Sequence, residues 1–289
     1  MHILKRKKGN KEYFYLQHSF RKNGKVITKE IYLGKKIPKN IEEIKKRLQE
    51  NNKKELYNKL ENIKANFQKE LIKLPEIIKE KEKEEISIAF TYNTNAIEGS
   101  TITLPETRQI IKDNIAPNRD LRDIKETEAH SKIFLKMLNK KEEITVNLLL
   151  NWHKDIFGET KNEISGKFRD YLVRVGNYIA PDWQEVKYLM HNLINFINTS
   201  KLNPAELSAI AHYRFESIHP FGDGNGRIGR LLMNYILWHN KYPMIIIEKK
   251  KRQAYYKALQ KGEDSFLKYF IKLYLKTHKK RIGCLQKDK

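Results

Sequence analysis

The chain has 289 residues, long enough for one well-packed domain with a smaller appendage. Its formal net charge is +23, from 58 Lys and Arg against 35 Asp and Glu, which raises nucleic acid or an acidic partner; the lysines are spread along the chain rather than gathered in one block, which favours a solvated, lysine-rich surface. The one cysteine, Cys284, excludes an internal disulfide and a cysteine metal cluster, Met1–Asn10 lacks the apolar core of a signal peptide, and no apolar run reaches the length of a membrane span, so the expectation is a soluble, cytoplasmic protein.

Lys11 to Leu33 reads as a β-hairpin. Tyr13-Phe14-Tyr15-Leu16 and Val26 to Leu33 are rich in β-formers, and Asn23-Gly24 between them is a strong turn signal. With Lys5, Arg6, Lys7, Lys8, Arg21, Lys22, Lys25 and Lys29, the segment mixes basic and aromatic residues. That suits a nucleic-acid-contacting module or a small docking hairpin; the second is favoured, because a short hairpin needs something to lean on. Asn40 caps a helical pattern carried by Ile41, Ile44, Leu48, Leu56, Leu60 and Ile63, which predicts one or two amphipathic helices as far as Ile78. Lys79 to Glu85 is highly charged and reads as solvated. The expected organisation is a basic hairpin module at 1–38, a helical linker at 39–85 and the main domain at 86–289.

Ile86 to Ile97 is a largely apolar helix, with Gly99 as a C-cap. Glu98 in its last turn is opposed by the helix dipole and therefore calls for a cationic partner. Pro105 opens a short helix to Ile115, Asp120 to Leu138 forms another, and Thr145 caps a third through Phe157. His153 in the third reads as a packed or surface histidine. From Gly166 to Tyr178 the period changes: Phe168, Tyr171, Leu172, Val173 and Val175 are β-like, and Gly176-Asn177 supplies a turn. A hairpin alone among helices leaves an edge available. Pro181-Asp182 starts a helix from Trp183 to Ile197, and Asn203-Pro204-Ala205-Glu206 is a capped start with proline at the first position.

That last helix delivers the stretch His219-Pro220-Phe221-Gly222-Asp223-Gly224-Asn225-Gly226-Arg227-Ile228-Gly229-Arg230. No apolar core needs an imidazole, a carboxylate, an amide, two guanidiniums and four glycines within twelve residues; a triphosphate and its metal do. Glycines let backbone N–H groups crowd an anion, and the helix that restarts near Arg227 adds unpaired donors and the positive end of its dipole. Arg227 and Arg230, three apart, share a face and can grip phosphate oxygens. Asp223 offers a hard oxygen to magnesium, and His219 suits proton transfer near neutral pH. Beyond it, Leu231 to Trp238 is an apolar helix. Asn234 is placed either for an adenine or as a satisfied core amide. Tyr255 or Tyr256 either walls a base pocket or packs in the core. Asp264 caps a last helix to Leu275.

The stretch resembles the signature of the Fic family, His-Pro-Phe-x-Asp/Glu-Gly-Asn-Gly-Arg-x-x-Arg, with no departure at any fixed position. The resemblance covers Ile86 to Leu275 and implies a mainly α-helical core with a β-hairpin flap; the N-terminal hairpin and helical linker lie outside it. It implies a protein adenylyltransferase, an enzyme that moves AMP from ATP onto a Ser, Thr or Tyr hydroxyl of a target protein, with Mg2+. His219 would be the general base and Asp223 the metal ligand. Gly224, Asn225 and Gly226 would cradle the phosphates, the Asn225 side chain and Arg227 would assist, and Arg230 would hold the γ-phosphate. Thr94-Asn95-Ala96-Ile97-Glu98-Gly99 resembles the family's inhibitory motif, so the resemblance implies autoinhibition by Glu98 pairing with Arg230, with Thr94 in the same motif on a helix at 86–99. The hairpin at 166–178 would be the flap that docks the target, with Phe168 and Val173 as docking residues.

Several alternatives stay beside that reading. Relatives with an inhibitory glutamate also remove AMP from targets, which Glu98 permits. Relatives that transfer phosphate carry a lysine where this chain has Gly226. Gly224-x-Gly226-x-x-Gly229 also fits a dinucleotide-binding pattern, with Glu248 beyond it, but that pattern needs a strand leading into the first glycine and recurring strand–helix pairs, and neither is present. A nucleic-acid-binding regulator acting through the basic hairpin leaves His219 and Asp223 without a role. Self-modification and a homodimer are open partners, and a membrane is not expected.

Overall fold

The structure is a computed structural model that describes residues 1–22, 25–38, 40–176 and 178–283. The turn expected at Asn23-Gly24, the second residue of the turn expected at Gly176-Asn177, and Cys284 lie outside the described residues. The chain divides into two compact units, Met1–Asn58 and Lys59–Lys289.

In the first unit β1 (His2–Lys8), β2 (Lys11–Lys22) and β3 (Lys25–Gly34) form an antiparallel sheet in that order. The expected hairpin is thus the inner and outer part of a three-stranded sheet. β1 escapes the sequence pattern because its residues, HILKRKK, carry charge where alternating apolar residues would mark a strand. A register shift between Phe14 and Tyr15 bulges the second pairing. Helix α1 (Ile41–Lys73) starts in this unit and ends in the second.

The second unit is helical apart from one small hairpin. Leu74-Pro75 separates α1 from α2 (Glu76–Ile97), since a proline cannot continue the helix before it. The charged run at 79–85 lies within α2 and is exposed or half-exposed throughout. Its charges alternate in sign, and Lys79–Glu76 at 3.1 Å and Lys83–Glu80 at 2.7 Å are helix-spaced pairs. Next come α3 (Leu104–Arg108), a π-helical turn (Gln109–Asp113), α4 (Leu121–Asn139), α5 (Val146–Phe157), strands β4 (Arg174–Val175) and β5 (Tyr178–Ile179), α6 (Trp183–Thr199) and α7 (Pro204–Ile218). After α8 (Asn225–His239) follow a 3-10 turn (Lys249–Lys251), α9 (Arg252–Gln260), α10 (Glu263–Thr277) and α11 (Lys279–Ile282). This is the mainly helical architecture that the sequence predicts.

Helix α8 is apolar all round from Leu231 to Leu237, apart from Asn234, and is buried accordingly. It packs on α7, and both lie in a core with Phe90 of α2, Phe134 of α4, Leu149, Trp152 and Phe157 of α5, and Val186 and Met190 of α6. The loop between α7 and α8 therefore leaves and re-enters the best-packed part of the molecule. Core packing on both sides fixes its two ends. Among the described residues no helix is long and apolar enough to cross a membrane.

Candidate active site

Helix α7 begins at Asn203, whose side-chain oxygen accepts the Ala205 N–H at 3.0 Å, with Pro204 in the first turn. It ends at His219, which sits in the left-handed region at φ 51°, ψ 60° while its N–H still bonds Phe215 O at 3.0 Å. A non-glycine residue there is strained by about 1–2 kcal/mol, so its surroundings must hold it. Arg169 does so. This buried side chain donates from Nε to His219 O at 2.8 Å, from Nη1 to Tyr171 O at 2.7 Å and from Nη2 to Pro181 O at 2.6 Å. Its own N–H reaches Pro220 O at 2.9 Å. One guanidinium thus ties the end of α7 to both ends of the segment carrying β4 and β5. Burial pulls its pKa below the ordinary arginine value.

The second clamp is Asn225. Its Oδ1 accepts the Phe221 N–H and its Nδ2 donates to Phe221 O, both at 2.8 Å. Both amide atoms are thus engaged by the loop, and Nδ2 keeps a second hydrogen with which it could give a phosphate the expected assistance. Beneath the loop His153, wholly buried, stacks on Phe221 with centroids 3.9 Å apart and planes at 13°. Its Nδ1 accepts the Gly166 N–H and its Nε2 donates to Asp223 O, both at 3.0 Å. Those partners assign the neutral tautomer, consistent with burial lowering its pKa to about 4. His153 is therefore packed, as one of its two readings held, and also fixes the backbone of the metal-ligand candidate.

Helices α3 to α7 each start on a Thr, Asp or Asn whose side-chain oxygen accepts a first-turn N–H. Helix α8 starts on Gly224, at φ 79°, with no side-chain cap. A Cβ on Gly224 would stand 2.4 Å from the Phe157 ring. Gly224 N–H bonds Asp223 Oδ1 at 2.6 Å, and the first helical bond runs from Ile228 N–H to Gly224 O at 3.1 Å. The N–H groups of Asn225, Gly226 and Arg227 consequently have no acceptor within the helix and sit at the positive end of its dipole. This is where an anion binds.

His219 lies at the mouth of that loop, half-buried, with Nδ1 3.3 Å from Glu216 O. Burial, aided by the Arg169 charge, holds its pKa below the ordinary histidine value against the Glu216 carbonyl, Glu98 and Asp223. The ring is neutral at pH 7, and a proton on Nδ1 leaves the Nε2 lone pair as the base.

Asp223 is 51% exposed, and its Oδ2 meets Lys161 Nζ at 2.7 Å and Arg227 Nη2 at 3.7 Å. Lys161 also reaches Glu126 Oε1 at 2.8 Å, and Glu126 Oε2 accepts from Arg227 Nη1. Burial raises the pKa of both carboxyls, but the Arg227 and Lys161 partners outweigh it and hold each below the ordinary value. Arg227 lies over the Phe157 ring at 4.3 Å, and its buried Nε has no partner among the described residues.

Arg230 is 1% exposed. Its Nε donates to Thr94 Oγ1 at 2.5 Å, and its Nη2 to Thr94 O at 3.1 Å and Glu98 Oε1 at 2.6 Å. Thr94 and Glu98 are four apart, hence on one face of the end of α2. The carboxylate unfavourably placed at that helix terminus thus has its cation. Behind Arg230, Tyr255 OH stands 3.4 Å from Nη1 and 2.8 Å from His212 Nε2. The neighbouring Glu216 has a buried Oε1 without a partner among the described residues, and burial pushes its carboxyl up to about 8.

The other candidates fall away from this centre. Tyr255 is a buried partner of Arg230 and His212 rather than a wall for a base. Asn234 bonds Arg230 O, Ile245 O and Ile245 N, so it is the satisfied core amide. Phe168 and Val173 lie outside the strands: the expected hairpin shrinks to Arg174–Val175 against Tyr178–Ile179. Phe168 packs towards Phe221 at 6.0 Å, and Val173 O accepts the Ala180 N–H at 3.1 Å. The exposed apolar side chains there are Tyr171, Leu172, Val175, Tyr178 and Ile179.

An uncapped helix start with arginines on its first turns, close in sequence to a neutral imidazole, can hold a phosphate group. Residues 143–237 match the Fic/DOC family model, and the chain carries a domain of that family. It is 34% identical over 202 residues to the protein adenylyltransferase Fic of Drosophila ananassae, a match that takes in 66% of this chain and 40% of the relative. The same figures hold for the Drosophila melanogaster protein of that name. The chain thus spans 40% of the length of these curated relatives. Residues 134–508 of Fic-1 from C. elegans share the fold at a TM-score of 0.69 and 26% identity, covering 86% of this chain and 79% of that one. A Fic domain containing signaling protein from Bacteroides thetaiotaomicron aligns at a TM-score of 0.67 and 24% identity, over 78% of this chain and 95% of that one.

Proposed function

We propose that the chain is a protein adenylyltransferase, transferring AMP from ATP to a Ser, Thr or Tyr hydroxyl of a target protein. The observation that carries this reading is the neutral His219 at the end of α7, six residues before the uncapped helix start at Asn225. His219 Nε2 takes the hydroxyl proton. The hydroxyl oxygen bonds to the α-phosphorus as the bond to the bridging oxygen breaks, and pyrophosphate leaves with the electron pair. The N–H groups of Asn225, Gly226 and Arg227 hold the phosphates in line, so catalysis is mostly positioning and charge stabilisation. The sequence similarity to relatives named protein adenylyltransferase Fic agrees with this.

The residues fit a magnesium ion as a one-carboxylate site. Asp223 is ionised and open to solvent, and the Lys161 ammonium already stands on its Oδ2 as a cation. Among the described residues no group of three acidic, His or Cys side chains encloses a metal, so the nucleotide's oxygens would supply most of the remaining ligands. When bound, the ion would neutralise phosphate charge.

The resting site is silent in this proposal. Glu98 holds the guanidinium that would clamp the γ-phosphate, and the nucleotide must displace it. The experiment is incorporation of label from ATP marked on the α-phosphate, with magnesium and cell extract as target, by wild type, Glu98→Gly, and Glu98→Gly with His219→Ala. Strong labelling by Glu98→Gly alone supports both the activity and the inhibition. No labelling by any of the three refutes the transferase reading. Glu98 is 30% exposed, and its carboxylate could alternatively direct a water at a phosphoester. AMP loss from a modified protein with wild type, and none with Glu98→Gly, would select removal as the reaction.

A further inference from the structure

Although lysines occur throughout the sequence, residues 1–38 hold 11 Lys and Arg against 2 Glu, +9 of the chain's +23. The catalytic proposal gives this segment no task. Its strand register places like charges opposite each other at the closed end of the first hairpin, Lys8 facing Lys11. Direct like-charge pairs destabilise a sheet. A bound polyanion removes that repulsion.

The sheet also sorts its side chains by face. Cross-strand partners share a face, and the two-residue period carries it along each strand. Arg6 is opposite Tyr13, Leu4 opposite Tyr15, and Tyr15 opposite Tyr32. The rings of Tyr13 and Tyr15 lie 6.2 and 5.3 Å from that of Tyr32, and the Arg6 guanidinium lies 5.0 Å over Tyr15. Lys8 and Lys11 continue this face towards the first turn. Its acid, Glu30, is paired with Arg6 at 2.7 Å and accepts from Gln17 at 3.2 Å. The opposite face carries Ile3, Leu16 and Ile31, with Leu16 at 0% exposure. Among the described residues, the sheet's aliphatic side chains apart from Leu4 are thus on one side. The other presents a tyrosine cluster, with Tyr32 54% exposed, rimmed by cations.

We infer that this face binds single-stranded nucleic acid, its phosphates on Lys8, Lys11 and neighbouring cations and its unpaired bases on Tyr13, Tyr15 and Tyr32. Lysines alone would suit any polyanion. The tyrosines select a ligand with flat, apolar faces between its charges, which an acidic protein lacks and a duplex keeps stacked inside.

The test is fluorescence anisotropy of the full chain with end-labelled mixed-sequence strands of about 20 nucleotides, long enough to cover the sheet several times. RNA, DNA and the matching duplex are measured at about 50 and about 200 mM salt, a range over which phosphate contacts lose much of their affinity. The expected result is saturable binding to RNA or DNA single strands that weakens by at least about tenfold across that range. Lys8→Glu with Lys11→Glu should abolish it at the higher salt. Tyr32→Ala, at a half-exposed position, should weaken single-strand binding by about tenfold, the usual scale for losing one stacked base. Circular dichroism then confirms that the sheet is intact. No saturable binding at low salt, duplex binding as tight as single-strand binding, or competition by poly-glutamate as effective as by unlabelled strand would overturn the inference. None of these readouts depends on nucleotidyl transfer, so His219→Ala should bind like wild type.

Discussion

Glu98 Oε1 lies 2.6 Å from Arg230 Nη2, and the same oxygen stands 2.1 Å from the place a Cβ on Gly226 would take. One carboxylate oxygen therefore covers both the guanidinium and the first-turn backbone that the proposed phosphate site requires. Nothing with a phosphate's charge can share that space, so inhibition in this proposal is direct occupancy. Glu98→Gly should raise the shift in Tm produced by ATP well above that of wild type, and raise α-phosphate labelling at least about tenfold, the effect of about 1.4 kcal/mol of released competition. Without ATP the variant should be less stable by about 2 kcal/mol, because a hydrogen bond to a buried charge is lost. Thr94 Oγ1, Thr94 O and Tyr255 keep Arg230 from becoming an orphan. Equal ATP-induced shifts in the two proteins would refute displacement.

Gly226→Ala tests the same space from the other side. Added to wild type, the methyl must push Glu98 away, which breaks the pair with Arg230. Activation should nevertheless fail, because a phosphate taking Glu98's place meets the same methyl. In the Glu98→Gly background, Gly226→Ala should weaken ATP binding by calorimetry at least about tenfold, as expected when a phosphate's first-turn contacts are lost. Tight ATP binding by the double variant would show that the nucleotide lies elsewhere.

What the sequence made legible was local chemistry. The loop from His219 to Arg230 reads correctly as helix, loop, helix because Pro220 and the glycines act within a few residues of themselves. Asp120, Thr145, Asp182 and Asn203 announce their helices because a cap bonds an N–H two or three residues on. The supports of the site were not legible. Glu126 stands 101 residues before Arg227, and Lys161 62 residues before Asp223. Each looks like an ordinary surface charge until α4 and the loop after α5 pack beside α8. Arg169 lies within the stretch read as a hairpin at 166–178, with nothing in its spacing to mark it as a clamp. Its bonds to Tyr171 O and Pro181 O draw the backbone on both sides to itself, and they accompany strands of only two residues each.

Lys161 makes a further prediction about the metal. Its ammonium lies where a cation would meet Asp223 Oδ2, at 2.7 Å, yet Glu126 at 2.8 Å gives it a second partner if it is displaced. A divalent ion at Asp223 must overcome both the existing pair and the repulsion of the lysine. Lys161→Met keeps an apolar stem and removes the charge, which lies 5.1 Å from the centre of the Phe157 ring. In the presence of a non-hydrolysable ATP analogue, it should lower the Mn2+ concentration for half-saturation, read by electron paramagnetic resonance, by about three- to tenfold, corresponding to about 1 kcal/mol of relieved repulsion near a surface. Weaker Mn2+ binding would instead make Lys161 a ligand of the phosphates.

The acid response should come from histidines remote from the loop as much as from the site. Burial lowers the pKa of His130 and His212 to about 3, and of His153 and His278 to about 4, against 6.5 for an exposed histidine. Below 6.5 the unfolded chain binds these protons and the folded chain does not. Stability is therefore lost as pH falls, by about 1.4 kcal/mol per unit for each such group. Glu216 acts with the opposite sign. Raised to about 8, it holds a proton in the folded state that the unfolded state releases above 4.5, so between 4.5 and 6.5 it cancels roughly one histidine of the four. The net expectation is a Tm that falls from pH 6.5 to 4.5 and more steeply below 4.5, where Glu216 no longer compensates. Because His219 is also held below the ordinary value, transfer by Glu98→Gly should remain level from pH 8 down to 6.5, and its acidic limb should lie below that. A limb centred above 6.5 would remove His219 as the base. A Tm independent of pH between 6.5 and 4.5 would mean that the buried histidines are protonated in the folded chain.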